Sequence, residues 1–436
     1  MNRPQRRGAF AGTTLAAGFG LLLVARLAAS VTVAQDRPRP MEDRAARPGL
    51  PVVHEISGSV PAGPQRLRID TAIGSVRLRP AGGDDTVYKV RLRSIGAADA
   101  AEARRRIDRM TVSASRSGDL LHFTGSLPPD PDAARGLTAE FDIEVPAAVR
   151  VVEVATGAGD IDATGLHGRL VLTTLAGAIT GGDLGGPIEA ETHAGRIAIG
   201  AVGADARLTS AGGDVLLDDA RGAVIVRTSG GDVRIGRAGT LTRVDSGGGN
   251  VRIEQAGGVV RVATGGGDID VRNALGEVSA ATAGGGIRVG NAPGVRCETA
   301  AGPIVLGSVD GPIRAISSAG NINALFDAAS LKADSDIQTW RGDVVVAIPE
   351  DLAVTVRALV DNPVGRSIQS DYPLNIQRDL ETAGRPLEMG EARLLGGGPL
   401  LKLRTLGGRI VIRKVSKTTA AVVDAAADNQ AGTEAQ

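Results

Sequence analysis

Cysteine is nearly absent: Cys297 is the only one in 436 residues, so no disulfide can form within one molecule and stability must come from packing. Aromatic residues are scarce too, with five Phe, two Tyr and one Trp. That leaves few of the flat platforms on which sugar grooves and single-stranded nucleic-acid sites are built. Neither sign of charge prevails, since 49 basic residues stand against 49 acidic ones, and the overall basic field of a nucleic-acid binder is missing. The four histidines, His54, His122, His167 and His193, are scattered and share no metal-ligand spacing. No nucleophile elbow, P-loop, zinc spacing or dinucleotide fingerprint stands in a strand–turn–helix context. The sequence therefore assigns no catalytic, cofactor-binding or metal-binding residue, and the expectation is a protein without enzymatic activity and without a cofactor.

Glycine, by contrast, is abundant at 61 residues, and much of it is ordered in sequence. It falls at 195, 213, 231, 249 and 267, a period of eighteen. With that glycine as position one, the third and fifth places are aliphatic: Ile197 and Ile199, Val215 and Leu217, Val233 and Ile235, Val251 and Ile253, Ile269 and Val271. A second aliphatic column is expected at about position twelve, on Val224, Leu241, Val259 and Val278, and position sixteen carries Ser210, Thr228, Ser246, Thr264 and Thr282. Alternation of this kind marks two short strands per unit with glycine-rich corners between them.

One such unit cannot bury its apolar face, but stacked copies can. A propeller blade needs about forty residues and four strands, and a hexapeptide helix needs an aliphatic residue every six; neither matches. The fold class expected is all-β: a single-stranded parallel β-helix, or solenoid, with about 18 residues per coil and one short helix near the N-terminal end. The corner glycines are read as positive-φ positions, and the Ser/Thr column as a ladder bonding to its own copies. Asp214, Asp232, Asn250 and Asp268 at position two are read as turn residues bonding nearby backbone. Calcium is the weaker reading, because the SGGD and TGGGD runs lack the nine-residue period of calcium-binding β-rolls.

The domain organisation follows composition. Residues 1–34 read as a signal peptide, with Arg3, Arg6 and Arg7 ahead of an apolar run and Thr32-Val33-Ala34 at its end. Arg26 leaves an uncleaved N-terminal anchor as the alternative, and no other segment approaches a membrane span. Residues 35–60 read as a disordered linker, rich in Pro and charge. Residues 61–150 hold irregular N-terminal coils and a capping helix, whose apolar positions are Ala100, Ala103, Ile107 and Met110. Residues 151–348 are the regular repeats, residues 349–415 are C-terminal coils and cap, and residues 416–436 are a disordered tail. Within the cap, an irregular excursion from Asn362 to Pro399 carries Tyr372.

The stretch FDIEVPAAVRVVEVATGAGDID, the GDVRI-type units and the closing LRTLGGRIVIRKV resemble, over about residues 66–415, the bacterial putative-adhesin family of β-strand-repeat proteins, similar in style to head-GIN domains. The resemblance implies a parallel β-helix exported across the inner membrane, and it brings no catalytic residues. The function expected is that of an exported cell-envelope protein, periplasmic or extracellular, with a structural, adhesin-like or surface-binding role. Its partner would be a cell-envelope protein or a surface polysaccharide, with no nucleic acid and no membrane span beyond the N-terminal anchor. Two alternatives stay open. One is a polysaccharide-active β-helix enzyme, for which Asp162, Asp270 and Glu298 are the outward carboxylates, although aromatics are almost absent and the lone Trp340 reads as a cap or corner residue. The other is a periplasmic accessory to a signalling system, binding its partner through the excursion.

Overall fold

The computed structural model describes residues 52–130, 132–326, 331–365, 367–382 and 385–415. The signal segment, residues 35–51 of the linker and the tail lie outside them. Within them the chain is all-β, with 35 strands in two parallel-rich sheets and a single helix, Ala100–Ile107. No helix is long and apolar enough to cross a membrane.

Each repeat contributes one strand to each sheet. In the first sheet Val215 lies opposite Val233, Val233 opposite Val251 and Val251 opposite Ile269, every partner eighteen residues further on. In the second sheet Val224, Thr242, Val260 and Val278 are linked in the same way. Side chains at alternate places then point between the sheets, and the columns at positions three and five are almost wholly removed from water. No aromatic residue occurs from Val151 to Leu325. The large rings sit towards the two ends instead: Phe123 and Phe141 are buried at one, with Tyr88 edge-on to Phe123 at 5.0 Å, and Phe326 is buried towards the other.

The second inward column differs from the sequence reading. Thr242 and Val260 face inward, both fully buried, whereas Val259 is 36% exposed and Leu241 is half-buried outside. Adjacent apolar residues made the count ambiguous; the register with Val224 and Val278 settles it. One consequence is a buried Thr242 hydroxyl with no hydrogen-bond partner.

The corners also work differently. From Gly213 to Gly320 the corner glycines lie outside the left-handed region, so positive φ is not their reason. Close approach is. A Cβ on Gly249 would overlap the carbonyl oxygen of Gly231 in the repeat before, and the same clash recurs at Gly231, Gly267 and Gly285. Nor do the position-sixteen hydroxyls bond to one another. The Thr264 hydroxyl donates to the Gly249 carbonyl at 2.9 Å and accepts from the Gly267 N–H at 3.3 Å, tying the corner that opens its own repeat to the corner that opens the next. Thr282 and Thr299 repeat the clamp.

Both ends depart from the parallel pattern. Val52–Val60, expected to be linker, is a strand antiparallel to Thr86–Ser94, because its buried Val60 and partly buried Val52 and Ile56 have a core to pack on. Thr86–Ser94 in turn runs antiparallel to Leu137–Val145. The helix forms where the sequence placed it: the Asp99 side chain caps it by accepting from the Glu102 N–H at 2.7 Å, and Ala103 and Ile107 are its buried face. It packs on Thr86–Ser94 and Val52–Val60. At the other end the excursion is not irregular. Arg385–Leu394 pairs antiparallel with both Val354–Asp361 and Asn375–Thr382, and the Tyr372 hydroxyl donates to the Ile348 carbonyl at 2.9 Å. Glu388, 1% exposed, accepts from Arg378 and from the Ser367 N–H, both at 3.0 Å, so its buried charge is paired.

Two neighbouring glycines test the corner. A Cβ on Gly248 meets nothing within 4 Å, while one on Gly249 meets backbone. Gly248→Ala is expected to leave the thermal midpoint nearly unchanged and Gly249→Ala to cost about 1–3 kcal/mol or more; equal midpoints would refute the close-approach account. Thr242→Val, which removes the unpartnered hydroxyl between two valines, is expected to stabilise by about 1 kcal/mol in denaturant unfolding.

Candidate binding groove

The outer face of the first sheet carries a groove of about 750 Å³ that crosses successive repeats. One wall is position two. There each side-chain oxygen accepts the backbone N–H of the equivalent residue in the next repeat: Asp214 from Asp232 at 3.0 Å, Asp232 from Asn250 at 2.8 Å, Asn250 from Asp268 at 2.9 Å and Asp268 from Gly286 at 2.6 Å. Asp160, Asn321 and Asp343 do the same in their own repeats. An amide oxygen serves this bond as well as a carboxylate oxygen, which is why Asn shares the column with Asp. The turn reading holds in kind, but the bond runs between repeats rather than within the corner.

The other wall is position four, where Leu216, Arg234, Arg252, Asp270, Arg288 and Val305 follow one another in register. With Arg196, the groove holds four arginines against Asp214, Asp232, Asp268 and Asp270, and apolar Leu216, Pro303 and Val305 lie towards its ends. Arg252 is held by Glu254 at 2.6 Å and lies 3.8 Å from Asp270. Arg234 and Arg288 are exposed and make no ion pair among the described residues. Asp270 is half-buried, and its Oδ1 is enclosed without a hydrogen-bond partner. Burial pushes its carboxyl above the ordinary range, against the opposing pull of Arg252, Arg272 and Arg288.

The carboxylates weighed for glycosidic chemistry are not brought together. Asp162 and Asp270 share a column but stand six strand steps apart, about 29 Å. Glu298 lies on the second sheet, paired with Arg296 at 2.9 Å. Trp340 is a corner residue, 61% exposed. Cys297 is fully buried in the second sheet between Ala280 and Ala315, and burial pushes its thiol far above the ordinary range. His122 bonds Asp70 at 2.7 Å on the second sheet, apart from the other histidines, and no group of three or more metal-ligating side chains occurs among the described residues. Sequence reading missed Arg234 and Arg288, although the signal was present: arginine recurs one place after the buried position-three residue, and so on the outer face.

No protein-family model matches the chain, and no curated protein matches it. Among solved structures it is similar to a putative adhesin from Bacteroides fragilis, at 10% identity and TM-score 0.21, covering 83% of this chain and 97% of that one. It is also similar to a putative cell adhesion protein from Clostridium sporogenes, at 7% identity and TM-score 0.19, covering 84% and 100%. A putative adhesin from Parabacteroides distasonis aligns at 11% identity and TM-score 0.24, covering 68% and 97%. Proteins bearing the name of the family that the sequence resembles are thus among its structural neighbours. TM-scores this low leave the groove's own chemistry to carry any functional reading.

Asp270 supplies a test of that chemistry. A carboxyl whose pKa is raised by folding binds its proton more tightly in the native state, so stability falls as pH rises from the ordinary carboxylate value to the folded one. Asp270→Asn is therefore expected to raise the thermal midpoint at neutral pH, with the gap closing below the ordinary carboxylate range. A wild-type protein more stable than the variant at neutral pH would show that Asp270 is paid for by contacts in the fold.

Proposed function

We propose that this chain is an exported cell-envelope protein, periplasmic or extracellular, that binds another envelope protein along the first-sheet groove without chemically changing it. In this reading the repeats form a single-stranded parallel β-helix of eighteen residues per coil, a reading supported by the uniform register offset in both sheets. The basic, apolar and small-residue order of residues 1–34 supports export. One observation carries the binding role: the exposed Arg234 and Arg288, which make no ion pair among the described residues, share the groove with the exposed carboxylates of Asp214, Asp232 and Asp268. Donors and acceptors in one open trough suit a ligand that bears both signs of charge, as an extended protein segment does.

The test is a binding screen of the protein against envelope proteins, peptidoglycan, lipopolysaccharide and neutral polysaccharides, with analysis of products. Binding to a protein component, unaltered on recovery, and weakened about tenfold or more in the Arg234→Ala/Arg288→Ala variant is the expected result. Release of cleavage products, or full affinity in that variant, would overturn it.

A further inference from the structure

The second sheet presents a different outer face. On its seven strands from Ala206–Ser210 to Ile313–Ser317, the outward positions carry Arg207, Arg227, Arg243, Arg261, Arg296 and Arg314, all exposed, against only Asp245 and Glu298. The first sheet's outer positions in the same repeats carry just one arginine more than carboxylates, and the whole chain is neutral. The excess on this one face is therefore local. Asp245 and Glu298 are taken by Arg243 and Arg296, each at 2.9 Å. Arg207, Arg227, Arg261 and Arg314 have no ionic partner among the described residues.

The register makes this arrangement costly to the fold. Arg243 lies directly opposite Arg261, and Arg296 opposite Arg314, and like charges on adjacent strands repel. Carboxylates stand opposite some of the unpaired arginines, Glu189 across from Arg207, Asp245 from Arg227 and Asp336 from Arg314, but none is within ion-pair distance of the arginine it faces, and Arg261 faces only Arg243 and Ser279. A ligand of opposite charge would complete the compensation.

We infer that the outer face of the second sheet is a binding surface for a linear acidic polysaccharide. Arg207, Arg243, Arg261, Arg296 and Arg314 share one outward column along the stack, with Arg227 in the column beside it. One strand step is about 4.8 Å, a distance of the order of one sugar residue, so a chain carrying a carboxylate on each sugar meets a fork-shaped donor at five of the seven strands. Other polyanions fit less well. None of the outward residues is aromatic, so nucleic-acid bases have nothing to stack on. None of the large exposed apolar side chains lies on these seven strands, so an anionic bilayer finds charge without an inserting group. This surface is separate from the first-sheet groove, and it stands or falls independently of it.

The probe is fluorescently labelled polygalacturonate, titrated by anisotropy into the full chain at low salt, with dextran as the neutral control. The protein is expected to bind polygalacturonate and not dextran, with affinity falling as salt is raised. Arg261→Glu/Arg314→Glu is expected to weaken binding about tenfold or more. Arg261→Ser/Arg314→Ser should weaken it in the same direction, and since neither arginine is paired inside the protein, both variants should retain the wild-type circular dichroism. The groove variant Arg234→Ala/Arg288→Ala should bind polygalacturonate as the wild type does. Absence of binding at low salt, equal affinity in folded second-sheet variants, or tighter binding to an oligonucleotide or to phosphatidylglycerol vesicles would each overturn the proposal.

Discussion

Backbone against backbone at the corner is the contact on which the rest of this structure depends. The corner glycine of one repeat sits where its missing side chain would strike the carbonyl oxygen of the glycine before it. That approach sets the distance at which the strands can pair, and two hydrogen-bond systems hold it there. On the inner side the buried hydroxyls of Thr264, Thr282 and Thr299 bridge consecutive corners; on the outer side the Asp and Asn oxygens of position two reach the next repeat's N–H. Each satisfies a polar backbone group that the strand ladders leave over. The aliphatic columns then need only be small enough to meet between the sheets, and from Val151 to Leu325 there is no Phe, Tyr or Trp to prevent it.

Much of this was legible in the sequence. A period of eighteen and strict alternation at positions three and five placed the strands and their inward faces, and the spacing of Ala103 and Ile107 placed the helix, because burial of one face leaves a local trace. What was not legible required knowing which repeat lies next to which. The Thr264 hydroxyl bonds residues on both sides of it in sequence, one of them fifteen places back, and a column of hydroxyls looks the same whether it bonds to itself or to the corners. Thr242 was passed over since a polar residue at an inward place breaks the pattern from which the place is inferred. The C-terminal excursion hid its strands because Arg385–Leu394 pairs antiparallel on both sides and so has no counterpart eighteen residues away. Of the groove, the walls could be written down from the repeat, but not the enclosure of Asp270 or the freedom of Arg234 and Arg288, which depend on where long side chains settle.

The two outer faces differ because nothing in the core constrains them. Inward places are restricted to residues that fit, whereas outward places in the same strands take arginine, aspartate, serine or glycine without disturbing the ladder. On the first sheet this freedom has produced a trough with both signs of charge, and on the second a face with six arginines against two carboxylates, in which only Arg243 and Arg296 are paired. A regular scaffold can thus carry two unrelated chemistries back to back.

The terminal strands have a consequence for how such a chain changes length. The outermost strands, Val52–Val60 and Thr111–Ser117 at one end and Ile368–Ser370 and Asn375–Thr382 at the other, differ from the repeats in direction or length, a departure of the kind that discourages edge-to-edge pairing. They also insulate the interior from the ends. A whole eighteen-residue unit duplicated or lost between Gly195 and Gly285 would present the same neighbours to both caps. The reach of either face can therefore grow or shrink by genetic slippage in fixed increments, each adding one more set of outward positions and leaving the folding problem unchanged.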